Sequence, residues 1–145
     1  MKKLLVLNGP NINRLGKREE NIYGNFTLTD VEEQLRDFAT PHGYEIDFFQ
    51  SNHEGELIDR IHKADEQYAG IIFNPAAYTH TSIALHDAIK SIQIPVIEVH
   101  ISNIYQREHF RHISMTASAC QGQIVGFGMQ SYLLALMWFI HNSDQ

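Results

Sequence analysis

Cysteine is nearly absent from this chain. Cys120 stands alone among 145 residues, which excludes an internal disulfide and points to a reducing, cytoplasmic setting. Proline and glycine are sparse too, at 4 and 9, too few for a fibrous, linker-rich or low-complexity chain. Basic residues are outnumbered, 11 against 17 acidic ones, and the formal charge of -6 leaves no cationic footprint for nucleic acid. Long apolar runs are missing, so no membrane span is expected. The opening Met1-Lys2-Lys3 and the apolar residues after it share the order of a secretory signal. That stretch breaks at Asn8-Gly9-Pro10, however, and reads as a first strand.

What is present is material for one core. At 43% hydrophobic and 19% charged, the chain is expected to form a single domain over residues 1–145. Short apolar runs alternate with amphipathic segments, the pattern of parallel strands joined by crossover helices in an α/β fold. Strands are predicted at residues 3–7, 45–50, 70–73, 95–99 and 123–127. A first helix is predicted to be capped by Thr29 and Asp30, to carry Val31, Leu35 and Phe38 on one face, and to close at Pro41 and Gly43. Further helices are predicted at 56–67, 81–91 and 130–140. No internal repeat or linker interrupts the series.

In an open parallel sheet the ligand sits beyond the carboxyl ends of the strands, so polar residues following each strand are the first candidates. Asn8, Asn11 and Asn13 follow the first strand; Asn74, Tyr78 and His80 the third; His100, Ser102 and Asn103 the fourth. The connection over residues 9–26 is long for an ordinary loop. It holds Lys17, Arg18 and Tyr23 between Gly16 and Gly24, which predicts a mobile lid at about residues 17–25 with glycine hinges.

Several blocks, taken in order, resemble the type II 3-dehydroquinases. They are Leu7-Asn8-Gly9-Pro10-Asn11-Ile12-Asn13, Arg18-Glu19, Tyr23-Gly24, Gln50-Ser51-Asn52-His53-Glu54-Gly55 and Asn74-Pro75-Ala76-Ala77-Tyr78-Thr79-His80-Thr81-Ser82. His86-Asp87-Ala88, Glu98-Val99-His100-Ile101-Ser102-Asn103 and residues 107–111 continue the match over nearly the whole chain. The resemblance implies a flavodoxin-like, three-layer, doubly wound fold with five parallel strands in the order 2-1-3-4-5, and trimers assembled into a homododecamer. It also implies a hydro-lyase that needs no cofactor or metal. The implied reaction is the trans-dehydration of 3-dehydroquinate to 3-dehydroshikimate through an enolate, in aromatic amino acid biosynthesis by the shikimate pathway or in quinate catabolism.

Such a reaction needs a base for a carbon acid, a proton donor for the leaving oxygen, dipoles for the enolate and a clamp for the substrate. By resemblance, Tyr23 is the base. A free phenol, with a pKa of about 10, is protonated at neutral pH and needs a neighbouring cation. Arg18 matches the activating arginine, and Arg107 is a candidate second positive neighbour. His100 matches the acid, with Glu98 two residues earlier on the same strand face to orient or charge its ring. Asn11 matches the group that polarises water or the enolate oxygen. Asn74, His80, Ser102 with the backbone of Ile101, and Arg111 match the substrate grip, while Asp87 matches a residue reaching into a neighbouring subunit's site.

Without the resemblance each residue has a plainer reading: Tyr23 and Arg18 as solvated loop residues, Asn11 as a turn former, His100 as a strand end. Asn74 reads as a strand exit, His80 as part of a helix cap, Asp87 and Arg111 as surface charges. Rival chemistries fit the residues worse. Nine histidines invite a metal hydrolase, yet His42, His62 and His141 are scattered and no His-Glu-x-x-His occurs. No phosphate-binding glycine motif follows the first strand, and no lysine falls at the strand rim for a Schiff base. A family member turned binding or scaffold protein is the best non-enzyme alternative; turnover of 3-dehydroquinate separates the two. Arg14, Glu20 and His109 depart from the family pattern, none at a catalytic position, and Glu20 in place of proline frees a backbone torsion in the lid.

Overall fold

A computed structural model describes residues 1–17 and 19–142; the predicted activator Arg18 lies outside the described residues. Strand β1 (Lys2–Asn8) decides the architecture by its alternation. Leu4 and Val6 enter one apolar layer and Leu5 and Leu7 the opposite one, all four fully buried. A strand apolar on both faces needs helices above and below it. Helices α2 (Leu28–Ala39) and α5 (Gln130–Asn142) supply one cover, through Val31, Leu35, Tyr132 and Leu136. Helices α3 (Glu54–Gln67) and α4 (Ile83–Lys90) supply the other, through Leu57, Ile61, Leu85 and Ile89. Each such buried side chain contributes about 1.5–3 kcal/mol relative to exposure.

The remaining strands are β2 (Tyr44–Gln50), β3 (Gly70–Asn74), β4 (Val96–His100) and β5 (Gly122–Val125). All pair in parallel, in the order β2-β1-β3-β4-β5. This is the expected three-layer flavodoxin-like sheet. The register aligns Asn8 with Gln50 and with Asn74 at the carboxyl end, and sets Glu98 between Phe73 and Gln123.

Element limits differ from the predicted ones by one to two residues at most ends, with physical causes. Thr27, not Thr29, caps α2. Its hydroxyl accepts from Asp30 N at 3.2 Å while Asp30 Oδ2 accepts from Thr27 N at 2.8 Å, a reciprocal capping box. Helix α4 begins at Ile83 rather than residue 81, because the Ser82 hydroxyl accepts from Leu85 N at 2.9 Å. Strand β5 stops at Val125, since Gly126 at φ 94° and Gly128 at φ 62° turn the chain before Phe127 can pair.

Gly9 brings two strand exits together. Its N–H donates to the Asn74 carbonyl at 2.8 Å, and a Cβ there would lie 2.5 Å from the Pro75 carbonyl oxygen. Only glycine lets the loop after β1 lie against the loop after β3, which sets Asn11 beside Asn74 at one rim.

Candidate active site

Across the carboxyl ends of β1, β3 and β4 lies a cavity of about 120 Å³. It gathers most of the predicted site. Tyr23, His100 and Asn11 line it, as do Asn74, His80, Ile101, Ser102 and both Arg107 and Arg111. Glu98 lies behind His100, fully buried, rather than on the cavity wall. Asp87 is exposed on α4 and does not line its own chain's cavity. Asn13, Tyr78 and Asn103, three of the rim residues, do structural work instead. Asn13 accepts from Gln50 at 3.4 Å, Tyr78 donates to the Asn52 carbonyl at 2.9 Å, and Asn103 accepts from Tyr105 N at 3.1 Å.

The connection after β1 is partly helical. It holds a 3-10 turn at Ile12–Arg14 and the short helix α1 (Glu20–Tyr23), which Gly24 ends at φ 81°. Gly16 is also left-handed, at φ 87°, so both glycines flank the segment in a conformation that side chains resist. Tyr23, at the end of α1, turns inward and is buried, with its ring in the α2/α5 apolar layer. Its phenolic oxygen accepts from Arg107 Nη1 at 2.5 Å. The Arg107 guanidinium carbon lies 5.0 Å from the Tyr23 ring centroid, and its Nε is buried without a hydrogen-bond acceptor, 3.6 Å from Glu108 Oε1. The Arg107 carbonyl accepts from His112 Nε2 at 2.9 Å, which anchors the backbone behind that cation.

Strand β4 carries the second group. Ile97 and Val99 join the α2/α5 layer, so Glu98 and His100 share the opposite face. His100 Nε2 lies 2.8 Å from Glu98 Oε2, both side chains buried. A carboxylate can only accept, so Nε2 carries a hydrogen and Nδ1 is the nitrogen free for proton exchange. Burial alone would push the Glu98 carboxyl up. Hydrogen bonding and charge from His100, with donation from Thr116 and Gln123, outweigh it and hold the group below the ordinary carboxylate range.

The residues expected to grip the substrate are also held by hydrogen bonds. His80 Nδ1 donates to the Ile113 carbonyl at 2.9 Å, which leaves Nε2 as the acceptor of the neutral ring. Burial lowers the His80 pKa, and the nearby charges of His100 and Arg111 lower it further, against the opposing Ile113 carbonyl. Asn74 donates from Nδ2 to the Tyr132 hydroxyl at 2.9 Å, and Tyr132 donates to Asn8 Oδ1 at 2.6 Å, a buried chain under the cavity floor. Asn74 Oδ1 accepts from Ala76 N at 3.0 Å and fixes Ala76 at φ 55°, a left-handed conformation that costs a non-glycine residue about 1–2 kcal/mol. Asn11 is left-handed at φ 70°, with its N–H donating to Asn52 Oδ1 at 3.0 Å. It is a turn residue and a cavity residue at once. Arg111 donates from Nε to Glu108 at 3.0 Å.

Four contributors were not legible in the sequence: Ser114, Thr116 and Gln123 around Glu98, and Tyr132 beneath Asn74. The first two sit in an irregular loop without periodicity, and Tyr132 looks like one more core residue of an apolar helix.

A parallel sheet in the order 2-1-3-4-5, with Tyr23, Arg107 and a carboxylate-bonded His100 on one cavity at its rim, has the layout of a flavodoxin-like enzyme. The chain matches the family model of class II dehydroquinases over residues 2–140. It is 58% identical over 140 residues to a 3-dehydroquinate dehydratase of Bacillus pumilus, covering 97% of this chain and 95% of that one. A namesake from Bacillus mycoides is 62% identical over 136 residues, covering 94% and 93%. Among solved structures, the type II dehydroquinase of Butyrivibrio crossotus superposes with a TM-score of 0.94 at 46% identity, covering 97% and 98% of the two chains. The enzyme from Propionibacterium acnes gives 0.94 at 41%, covering 98% of each. The chain belongs to the class II dehydroquinase family, lyases of the shikimate pathway.

Proposed function

We propose that this chain removes water from 3-dehydroquinate to give 3-dehydroshikimate, with Tyr23 as the base and His100 as the acid. The observation that supports it most is the placement of the Arg107-bonded Tyr23 and the Glu98-bonded His100 on one small cavity. Acting as the phenolate, with the Arg107 guanidinium donating to its oxygen, Tyr23 takes the proton from the carbon beside the ketone. The electrons of that C–H bond move to the ketone oxygen as an enolate. Asn11 polarises this oxygen or a water bound to it. The enolate then collapses and expels the hydroxyl of the next carbon, which leaves as water with a proton from His100 Nδ1. Trans elimination requires base and acid on opposite faces of the ring. The cycle closes when the proton gained by Tyr23 returns through solvent to His100.

Neutral His80 accepts from a substrate hydroxyl, Asn74 and Ser102 with the backbone of Ile101 bind further oxygens, and Arg111 pairs with a hydroxyl or the carboxylate. Arg18 is a second activator of Tyr23 in this reading. The segment at about residues 17–25 closes as a lid of the single catalytic domain, with Gly16 and Gly24 as its hinges.

Asp87 completes a neighbouring chain's site within a homododecamer of four trimers. Two features support this: the exposure of Asp87 away from its own cavity, and the apolar side chains Ile83, Phe110 and Ile113, which are 61–68% exposed. A cytoplasmic location is read from the single cysteine. The test is direct. Metal-free purified protein is mixed with 3-dehydroquinate and the conjugated enone product is followed by its absorbance; turnover is expected, and its absence rejects the assignment.

A further inference from the structure

Glu98 is fully buried and accepts four side-chain hydrogen bonds. Its Oε2 accepts from His100 Nε2 at 2.8 Å, Gln123 Nε2 at 2.7 Å and Ser114 Oγ at 3.0 Å, and its Oε1 accepts from Thr116 Oγ1. Of these donors only His100 lines the cavity. A carboxylate only accepts, so the Ser114 hydroxyl donates to it while its own oxygen accepts from Thr116 N at 3.2 Å and Ala117 N at 2.9 Å.

We propose that Thr116 and Ser114 are positioning residues for proton transfer by His100, acting through Glu98. A carboxylate held at one oxygen turns easily about its last torsion, which is broad. Donors on both oxygens fix its plane, and with it the His100 ring. The same cage disfavours a protonated Glu98, since a carboxylic hydrogen would be set against four donors. The proton at the Nε2–Oε2 contact therefore rests on the imidazole, which leaves Nδ1 as the nitrogen that serves the leaving oxygen.

The segment carrying both hydroxyls is itself clamped. Met115 N donates to the Thr79 carbonyl at 2.7 Å, His86 Nδ1 to the Met115 carbonyl at 2.8 Å, and His80 Nδ1 to the Ile113 carbonyl at 2.9 Å. One short stretch, residues 113–116, thus carries the support of the acid pair and of a grip residue. Thr116 is fully buried and valine has its shape, so its hydroxyl can be removed with little change in packing.

The inference rests on His100 being the acid, and the test separates the two. If wild-type protein fails to dehydrate 3-dehydroquinate, the functional reading falls first. With active wild type, Thr116→Val is expected to lower kcat roughly ten- to a hundred-fold, part of what general acid catalysis supplies, with KM nearly unchanged. Thr116→Ser should restore most of the loss. In a Glu98→Gln background the valine change should cost nothing further, because the hydroxyl has lost the group it acts on. Undiminished kcat in Thr116→Val, or an equal loss with and without Glu98, overturns the proposal. If Thr116→Val does not fold, Ser114→Ala is judged by the same criteria.

Discussion

Arg107 donates to the phenolic oxygen of Tyr23 at 2.5 Å although 84 positions separate them in sequence. The contact joins the segment before α2 to the loop after β4, so the phenolic oxygen and its donor come from two distant parts of the chain.

Removing that cation should weaken the base more than the substrate complex. Hydrogen bonds to charged groups contribute about 1.5–3 kcal/mol, so Arg107→Gln should lower kcat by roughly ten- to a hundred-fold. Lysine should recover only part of it, since a point charge cannot reproduce the guanidinium fork. Steady-state kinetics with folding checked by circular dichroism measures this.

His80 predicts a pH dependence of stability. Its pKa in the folded state lies below the ordinary 6.5, chiefly because burial disfavours the charged ring. The unfolded chain therefore binds the proton more readily. Stability from this group is complete above 6.5 and is lost as pH falls from there through the lowered folded value. Denaturant midpoints should drop across that window, and His80→Asn should flatten the drop; an unchanged slope refutes it.

At the start of α2, Thr27→Ala removes one half of the capping box. The expected loss is about 1 kcal/mol of unfolding free energy, read from urea denaturation. Thr29→Ala, at the position first predicted to cap, should cost less than Thr27→Ala.

Asp87 ties activity to assembly if it acts on a neighbour's cavity. Charges introduced at the exposed Ile83 and Phe110 should yield single chains that bind substrate at least about ten-fold more weakly, the usual scale of a lost charged contact. Equal substrate titrations for assembled and dissociated protein would leave Asp87 without that role.

Much of this molecule is written locally. A strand such as β1, apolar on both faces, announces a covered parallel sheet, and the residues after its partners announce a rim. Limits were harder, because Thr27, Thr29 and Asp30 are all chemically able to cap, and only the three-residue spacing of Thr27 and Asp30 with both bonds made decides between them. The site was legible where a residue ends a strand, as His100 and Asn74 do. It was not where the contact crosses the fold: Thr116 on Glu98, or Tyr132 on Asn74, depends on which loop and helix the sheet order places nearby. Asn11 had two readings that sequence could not separate, and its left-handed backbone at the cavity edge satisfies both.

The most direct probe is the turnover of 3-dehydroquinate by Tyr23→Phe, which deletes one oxygen and keeps the ring in the core. A loss of at least about a hundred-fold in kcat, the lower end of what a general base supplies, is expected from protein whose fold is intact. Turnover equal to wild type would mean that another group takes the proton.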